Sequence, residues 1–178
     1  METVLKPGFE KILTLFYQDK SAKIHLRDIA RKTKLNENSA FRFLKELEKS
    51  GLLLSSRDGN LKKYELQKNE KVYSILAYFD IIRLNKLPNL RQKAVFYFLD
   101  ALQEKPVIAF VFGSTAKNTY KEQSDIDILL IVNKKIDTKK SENYTDAQTG
   151  IRISCFQITI PDFRDELKLK RDHVIQAA

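Results

Sequence analysis

Apolar residues recur at helical spacing through the first third of the chain. In "GFEKILTLFYQD" Phe9, Ile12, Leu13 and Phe16 share one face, and in "HLRDIARKTKL" Leu26, Ile29 and Ala30 repeat the pattern. A short turn at Lys34 and Leu35 leads into "NENSAFRFLKELEKSG". There Asn36 is an N-cap, Ala40, Leu44 and Leu47 form an inward stripe, and Gly51 is a stop signal. "LLLSSRDGNLKKYEL" then reads as two short strands around Asp58-Gly59, a dipeptide suited to a tight hairpin. The expected order is helix, helix, turn, helix, hairpin.

Two longer helical patterns follow. Val72, Ile75, Leu76, Phe79 and Ile82 mark a helix that ends before Pro88, and Leu90, Ala94, Val95, Phe98 and Leu102 mark a second, expected to pack on a sheet. The remaining chain alternates. "PVIAFVF" is a buried strand, "STAKNTYKEQ" a loop with a short helix, and "SDIDILLIV" a strand too apolar for a water-facing edge. Lys134 to Thr149 reads as polar and turn-like, "IRISCFQITI" as a third strand, and "DFRDELKLKRDHVIQAA" as a terminal helix. With no repeat and no flexible linker, the chain divides near Gln67. Residues 1–67 form one domain, 68–88 a connecting helix, and 89–178 a second domain. The fold class is α+β, with a small mixed sheet backed by helices in the second domain.

Composition narrows the setting. Apolar content of 43% with 31% charged residues describes an ordinary folded chain of 178 residues. No apolar run approaches the length of a membrane span and no signal-peptide pattern opens the chain. One cysteine, Cys155, excludes an internal disulfide framework, and with only His25 and His173 beside it a structural zinc site is not expected. A reducing, cytoplasmic location is the expectation. The net charge of +9 suits a polyanionic partner, although a solvated lysine-rich surface has the same composition.

The stretch "LRDIARKTKLNENSAFRFLKELEKSGLL" resembles the helix-turn-helix core of the winged helix-turn-helix regulators of archaea and bacteria. The resemblance implies that the third helix enters the major groove of double-stranded DNA and that the hairpin lies over the backbone. Asn38, Ser39 and Arg42 are then the base-contact candidates, because Asn and Arg can each bond one base twice. Lys45, Arg57, Lys62 and Lys63 would meet phosphates, which position without specifying sequence. Winged helices also dock proteins and form dimers, and Glu37 at the helix start is unfavourable for DNA. A homodimer would suit a palindromic site, but no pattern here requires one.

Chemistry concentrates in "VFGSTAKNTYKEQSDIDILLIV". Gly113 ends a buried strand where a helix starts, so the backbone can approach a phosphate, and Ser114 adds a hydroxyl. Asp125 and Asp127, two apart on a strand, leave the same face and are a pair suited to Mg²⁺. Gly-Ser, ten residues, Asp-x-Asp resembles the nucleotidyltransferases of the DNA polymerase β superfamily, most closely the minimal ones of archaea and bacteria. The sharp match covers Val107 to Val132. The resemblance implies transfer of a nucleoside monophosphate from a triphosphate, with ATP the expected one. Gly113 and Ser114 would hold the phosphates, and Asp125 and Asp127 the metal.

Active members of that superfamily take a third carboxylate from the following core strand, and "IRISCFQITI" contains none. Asp146 and Asp162 flank the strand, and Asp137 or Glu142 could approach under another alignment. Gln157 or Ser154 could hold a water instead, although neither is a base. Cys155, without a His partner in the pattern, reads as a core residue. Three functions fit: a DNA-directed transferase, a transcriptional regulator with a silent or nucleotide-sensing transferase fold, and an antitoxin that modifies a partner toxin.

Overall fold

In the computed structural model, which describes residues 5–169, the chain separates into two compact units, Met1–Asn85 and Lys86–Ala178. The first unit runs α1 (Pro7–Gln18), β1 (Ile24–His25), α2 (Leu26–Thr33), α3 (Glu37–Lys49), β2 (Leu53–Asp58), β3 (Leu61–Leu66) and α4 (Glu70–Asn85). Its sheet is antiparallel in the order β1-β3-β2. This is a winged helix-turn-helix with one helix added. Ile12, Leu13, Phe16, Ile29, Leu44, Leu47, Leu53 and Tyr64 make its core.

The capping signals act where the sequence placed them. Asn36 Oδ1 accepts the Ser39 backbone N–H at 2.7 Å, which satisfies one of the orphan donors at the start of α3. The hairpin turns at Gly59-Asn60, between the paired Asp58 and Leu61. Gly59 has φ +59°, the conformation a tight turn demands at its first central position. The two-residue strand β1 was not expected. It is too short to show an alternating pattern and exists because Ile24 and His25 pair with Tyr64 and Lys63.

Helix α4 belongs to the first unit. Val72 and Phe79 are buried in the same cluster as Leu13 and Phe16, and Ile75, Leu76 and Ile82 pack against it. The Tyr17 hydroxyl donates to Asp80 Oδ1 at 2.5 Å, and the Tyr17 and Phe79 rings lie 5.3 Å apart. The boundary between units thus falls after Asn85, where the sequence reading separated 1–67 from a connecting helix at 68–88.

The second unit runs α5 (Asn89–Ala101), β4 (Ile108–Phe112), α6 (Gly113–Lys117), β5 (Ile126–Val132), α7 (Lys139–Thr149), β6 (Ile153–Thr159) and α8 (Ile160–Leu169). Strand β5 is central, antiparallel to β4 and parallel to β6, so the sheet is mixed. The terminal helix expected from Asp162 onward is present as α8, and its expected continuation over residues 170–178 lies outside the described residues.

Three expectations are corrected here. The strand read in "PVIAFVF" is not buried, because β4 lies at the sheet edge with Val107 and Ile108 exposed. Lys134 to Thr149 is not turn-like throughout, because Lys139–Thr149 is helix α7. Its inward positions are Ser141, Thr145 and Thr149, which show no apolar periodicity. Thr145 and Thr149 return their hydroxyls to the carbonyl four residues back, each at 2.8 Å, so these side chains are buried without unpaired polar groups. In α5 the inward set is Arg91, Ala94, Val95 and Phe98, whereas Leu90 is exposed. The arginine takes the place expected for a leucine because of its partners, described below.

Replacing Asn36 by Ala removes the α3 cap and should cost about 1 kcal/mol, read as a lower urea midpoint for unfolding by circular dichroism.

Candidate functional site

On α3 the outward row is Asn38, Phe41, Arg42 and Lys45, spaced three and four apart, and all four are exposed. Ser39 is half-buried and its backbone N–H is taken by the cap. The Arg42 guanidinium lies 5.2 Å from the Phe43 ring, which itself meets Phe9 edge-on. On the hairpin, Lys62 donates to Glu48 at 2.9 Å and Lys63 pairs with Asp58. Hydrogen bonds from Ser55 and then Lys62 hold the Glu48 carboxyl below its usual range, and Lys63 does the same for Asp58. Lys45 and Arg57 carry no ion pair among the described residues. The free positive charge of this face is therefore centred on Arg42, Lys45 and Arg57, with Lys62 and Lys63 locally neutralised.

In the second unit, strand pairing sets Phe112 opposite Asp127, so Gly113 follows directly at the level of that carboxylate. Gly113 has φ +65°, and a Cβ there would lie 2.2 Å from Asp127 Oδ2. The glycine is needed twice, for its left-handed conformation and for the close approach of the aspartate. Burial first, and the Asp125 charge second, raise the Asp127 pKa. Ser114 is the second residue of the one-turn helix α6, and its carbonyl accepts the Thr119 N–H at 2.9 Å. Asn118 closes that turn at φ +56°.

Arg91 joins the two halves of this site. It is 4% exposed, and its guanidinium donates to the Ser124 carbonyl at 2.6 and 3.0 Å, to Thr115 Oγ1 at 3.3 Å and to the Asp125 carbonyl at 3.4 Å. The Tyr120 ring lies 4.1 Å from it. Burial pulls the Arg91 pKa down, and Tyr120 and Asp125 oppose that shift. One buried cation thus anchors both the helix after Gly113 and the chain entering Asp125. Sequence reasoning passed over it, although an arginine within an otherwise apolar helical face was the available signal.

Residues 99–177 match the family Polymerase beta, Nucleotidyltransferase. The match begins near the end of α5, lies within the second unit and covers less than half of the chain. No curated protein matches the chain. Among solved structures, a homodimeric winged helix-turn-helix DNA-binding domain from Mycobacterium bovis is 24% identical over 44% of this chain and 69% of its own, with a TM-score of 0.38. The adhesin competence repressor of Streptococcus pyogenes is 22% identical over 51% of this chain and 68% of its own, TM-score 0.39. The Zα domain of Carassius auratus PKZ, solved with Z-DNA, is 22% identical over 34% of this chain and 92% of its own, TM-score 0.31.

Within the second unit, strand register locates what stands in place of a third carboxylate. Asp127 pairs with Ser154 on the parallel strand β6, so Ser154 is on the same face beside it. Two residues earlier on that face, Arg152 places Nε 3.2 Å from Asp125 Oδ1. Arg152 just before β6, and Ser154 and Phe156 on it, therefore stand on this face, and none of them is an acid. The flanking candidates lie elsewhere. Asp137 accepts the Lys139 N–H at the start of α7, and Glu142 accepts from Thr138 at 2.8 Å. Asp162 accepts from Thr159, five residues along β6 from Ser154 and so about 16 Å away. Gln157 is engaged at both ends of its amide by the Ile136 backbone, each bond 2.9 Å, which removes it as a water holder. Cys155 points to the opposite face, where burial first and Glu142 second push its thiol up to about 12. It is inert packing at neutral pH.

The donor set fits one hard cation shared with a triphosphate, since Mg²⁺ takes most of its ligands from water and phosphate. It does not fit a self-sufficient protein cage, and no group of three or more His, Cys, Asp or Glu could hold a metal among the described residues.

Two substitutions probe this geometry. Gly113→Ala should cost about 1–3 kcal/mol in urea unfolding through its left-handed backbone and displace Asp127, weakening Mn²⁺ binding read by electron paramagnetic resonance. Arg152→Ala should strengthen Mn²⁺ binding by at most about fivefold, because an ion pair 71% and 41% exposed is worth about 0.2–1 kcal/mol.

Proposed function

We propose that the protein is a DNA-binding regulator whose nucleotidyltransferase domain binds a nucleoside triphosphate with Mg²⁺ and has lost most of its capacity for transfer. The Arg152–Asp125 ion pair, with Ser154 beside Asp127, carries this reading. Magnitudes decide the balance between binding and chemistry. The exposed ion pair lowers cation affinity by a few-fold at most and leaves the site usable. The absent third carboxylate is the larger loss, because no group on β6 can draw the proton from an attacking hydroxyl.

Asp125 and Asp127 would hold the metal, and the Gly113-Ser114 turn the phosphates. When bound, the metal supplies positive charge against the triphosphate oxygens. The residues of the chain do the positioning. Gly113 admits Asp127 to the turn, and Arg91 keeps the Asp125 backbone and α6 in register. In the first unit Asn38 and Arg42 would read bases while Lys45 and Arg57 meet phosphates.

A second reading, slow transfer to an acceptor hydroxyl, is favoured by the retained contact between Gly113 and Asp127. Calorimetric titration of ATP and the other triphosphates, with and without Mg²⁺, tests the first reading, with Asp125→Asn/Asp127→Asn as control. The expected result is Mg²⁺-dependent binding that the control loses, together with duplex DNA binding that weakens steeply with salt. Absence of binding by every triphosphate sinks the nucleotide reading, and stable incorporation of label from an α-labelled triphosphate into an acceptor replaces it with the transferase reading.

A further inference from the structure

Phe41 stands out on α3. Phe43, two residues on, is packed: its ring fills the space that a Cβ on Gly8 would need, 2.2 Å away, and it belongs to the side chains lining the core. Phe41 is 49% exposed and is absent from that lining. Its neighbours three residues before, one after and four after are Asn38, Arg42 and Lys45, so a large apolar ring sits in the middle of a polar and basic row. Phe41 is the one exposed large hydrophobic on this helix. Phe41 also lies in the second turn of the helix, the part that comes against base edges when such a helix enters a major groove.

Resting on the DNA-binding reading above, we propose that Phe41 is a specificity residue that reads the 5-methyl group of a thymine. The thymine methyl is the one apolar feature on the floor of the major groove, and Phe is among the side chains suited to contact it. Arg42 alongside is set to contact a neighbouring base or phosphate, its guanidinium held against the Phe43 ring at 5.2 Å. Lys45, one turn further, has the charge to anchor the backbone. The row thus pairs one apolar reader with polar readers and a phosphate contact, which is the mixture a T-containing site requires.

The test uses the full chain. A binding duplex is selected from a randomised pool, and each thymine in it is then replaced singly by deoxyuridine, which removes only the methyl. For the unaltered protein, at least one replacement should weaken binding by about fourfold, the worth of one buried methyl. For Phe41→Ala the same replacement should have no effect, while salt-dependent binding to unrelated duplex persists. Because the side chain is exposed, the variant is expected to unfold at the same urea concentration. Binding in which every thymine tolerates uracil, or in which the penalty is equal for both proteins, overturns the role of Phe41 and leaves the DNA reading intact. Failure to bind any duplex overturns both.

Discussion

The geometry of the second unit depends on strand β5 being hydrogen-bonded on both sides. Its residues from Ile128 to Val132 are buried, and only its leading end reaches water. The two aspartates at that end are held by ladder pairing rather than by their own interactions. Antiparallel pairing with β4 brings Gly113 to Asp127, and parallel pairing with β6 brings Ser154 to Asp127 and Arg152 to Asp125. A register slip of one residue on either side would turn the acids to the opposite face of the sheet. Arg91 secures the same end from α5, where its hydrogen bonds to two backbone carbonyls and a hydroxyl offset the burial of its charge.

The site's charge balance follows from that register. Asp125 and Asp127 lie among two guanidinium groups, Arg152 in an exposed ion pair and Arg91 buried against the Asp125 backbone, so the two carboxylates are already close to charge balance. Of the two, only Arg152 is exposed, and its ion pair with Asp125 contributes little. What the register does not provide is a group on β6 able to accept a proton.

The first unit solves a different problem with the same economy of contacts. Gly8 lets α1 approach Phe43, and that packing, with Leu44 and Leu47, fixes the rotation of α3. Once the rotation is fixed, Asn38, Phe41, Arg42 and Lys45 have no course but outward. Helix α4 closes the other side of the core through Val72 and Phe79, so the helix that looks like a connector is a structural part of the winged-helix unit.

Much of this was legible in the chain itself. Strong apolar periodicity, the Asn36 cap, the Asp58-Gly59 turn and the Gly-Ser…Asp-x-Asp spacing are local signals, and each depends only on residues a few positions apart. They determined the winged helix and most of the order of strands and helices, and they singled out Gly113, Ser114, Asp125 and Asp127. Helix α7 escaped because its buried stripe is Ser141, Thr145 and Thr149, whose hydroxyls are satisfied inside the helix and leave no apolar pattern. Arg91 escaped because a buried charge is tolerable only with partners 24 to 34 residues away. The pairing of Arg152 with Asp125, the removal of Gln157 by Ile136 and the outward setting of Phe41 beside the inward Phe43 were decided by strand register and helix packing. Those are relations between distant segments, and a sequence read in order carries no direct signal for them.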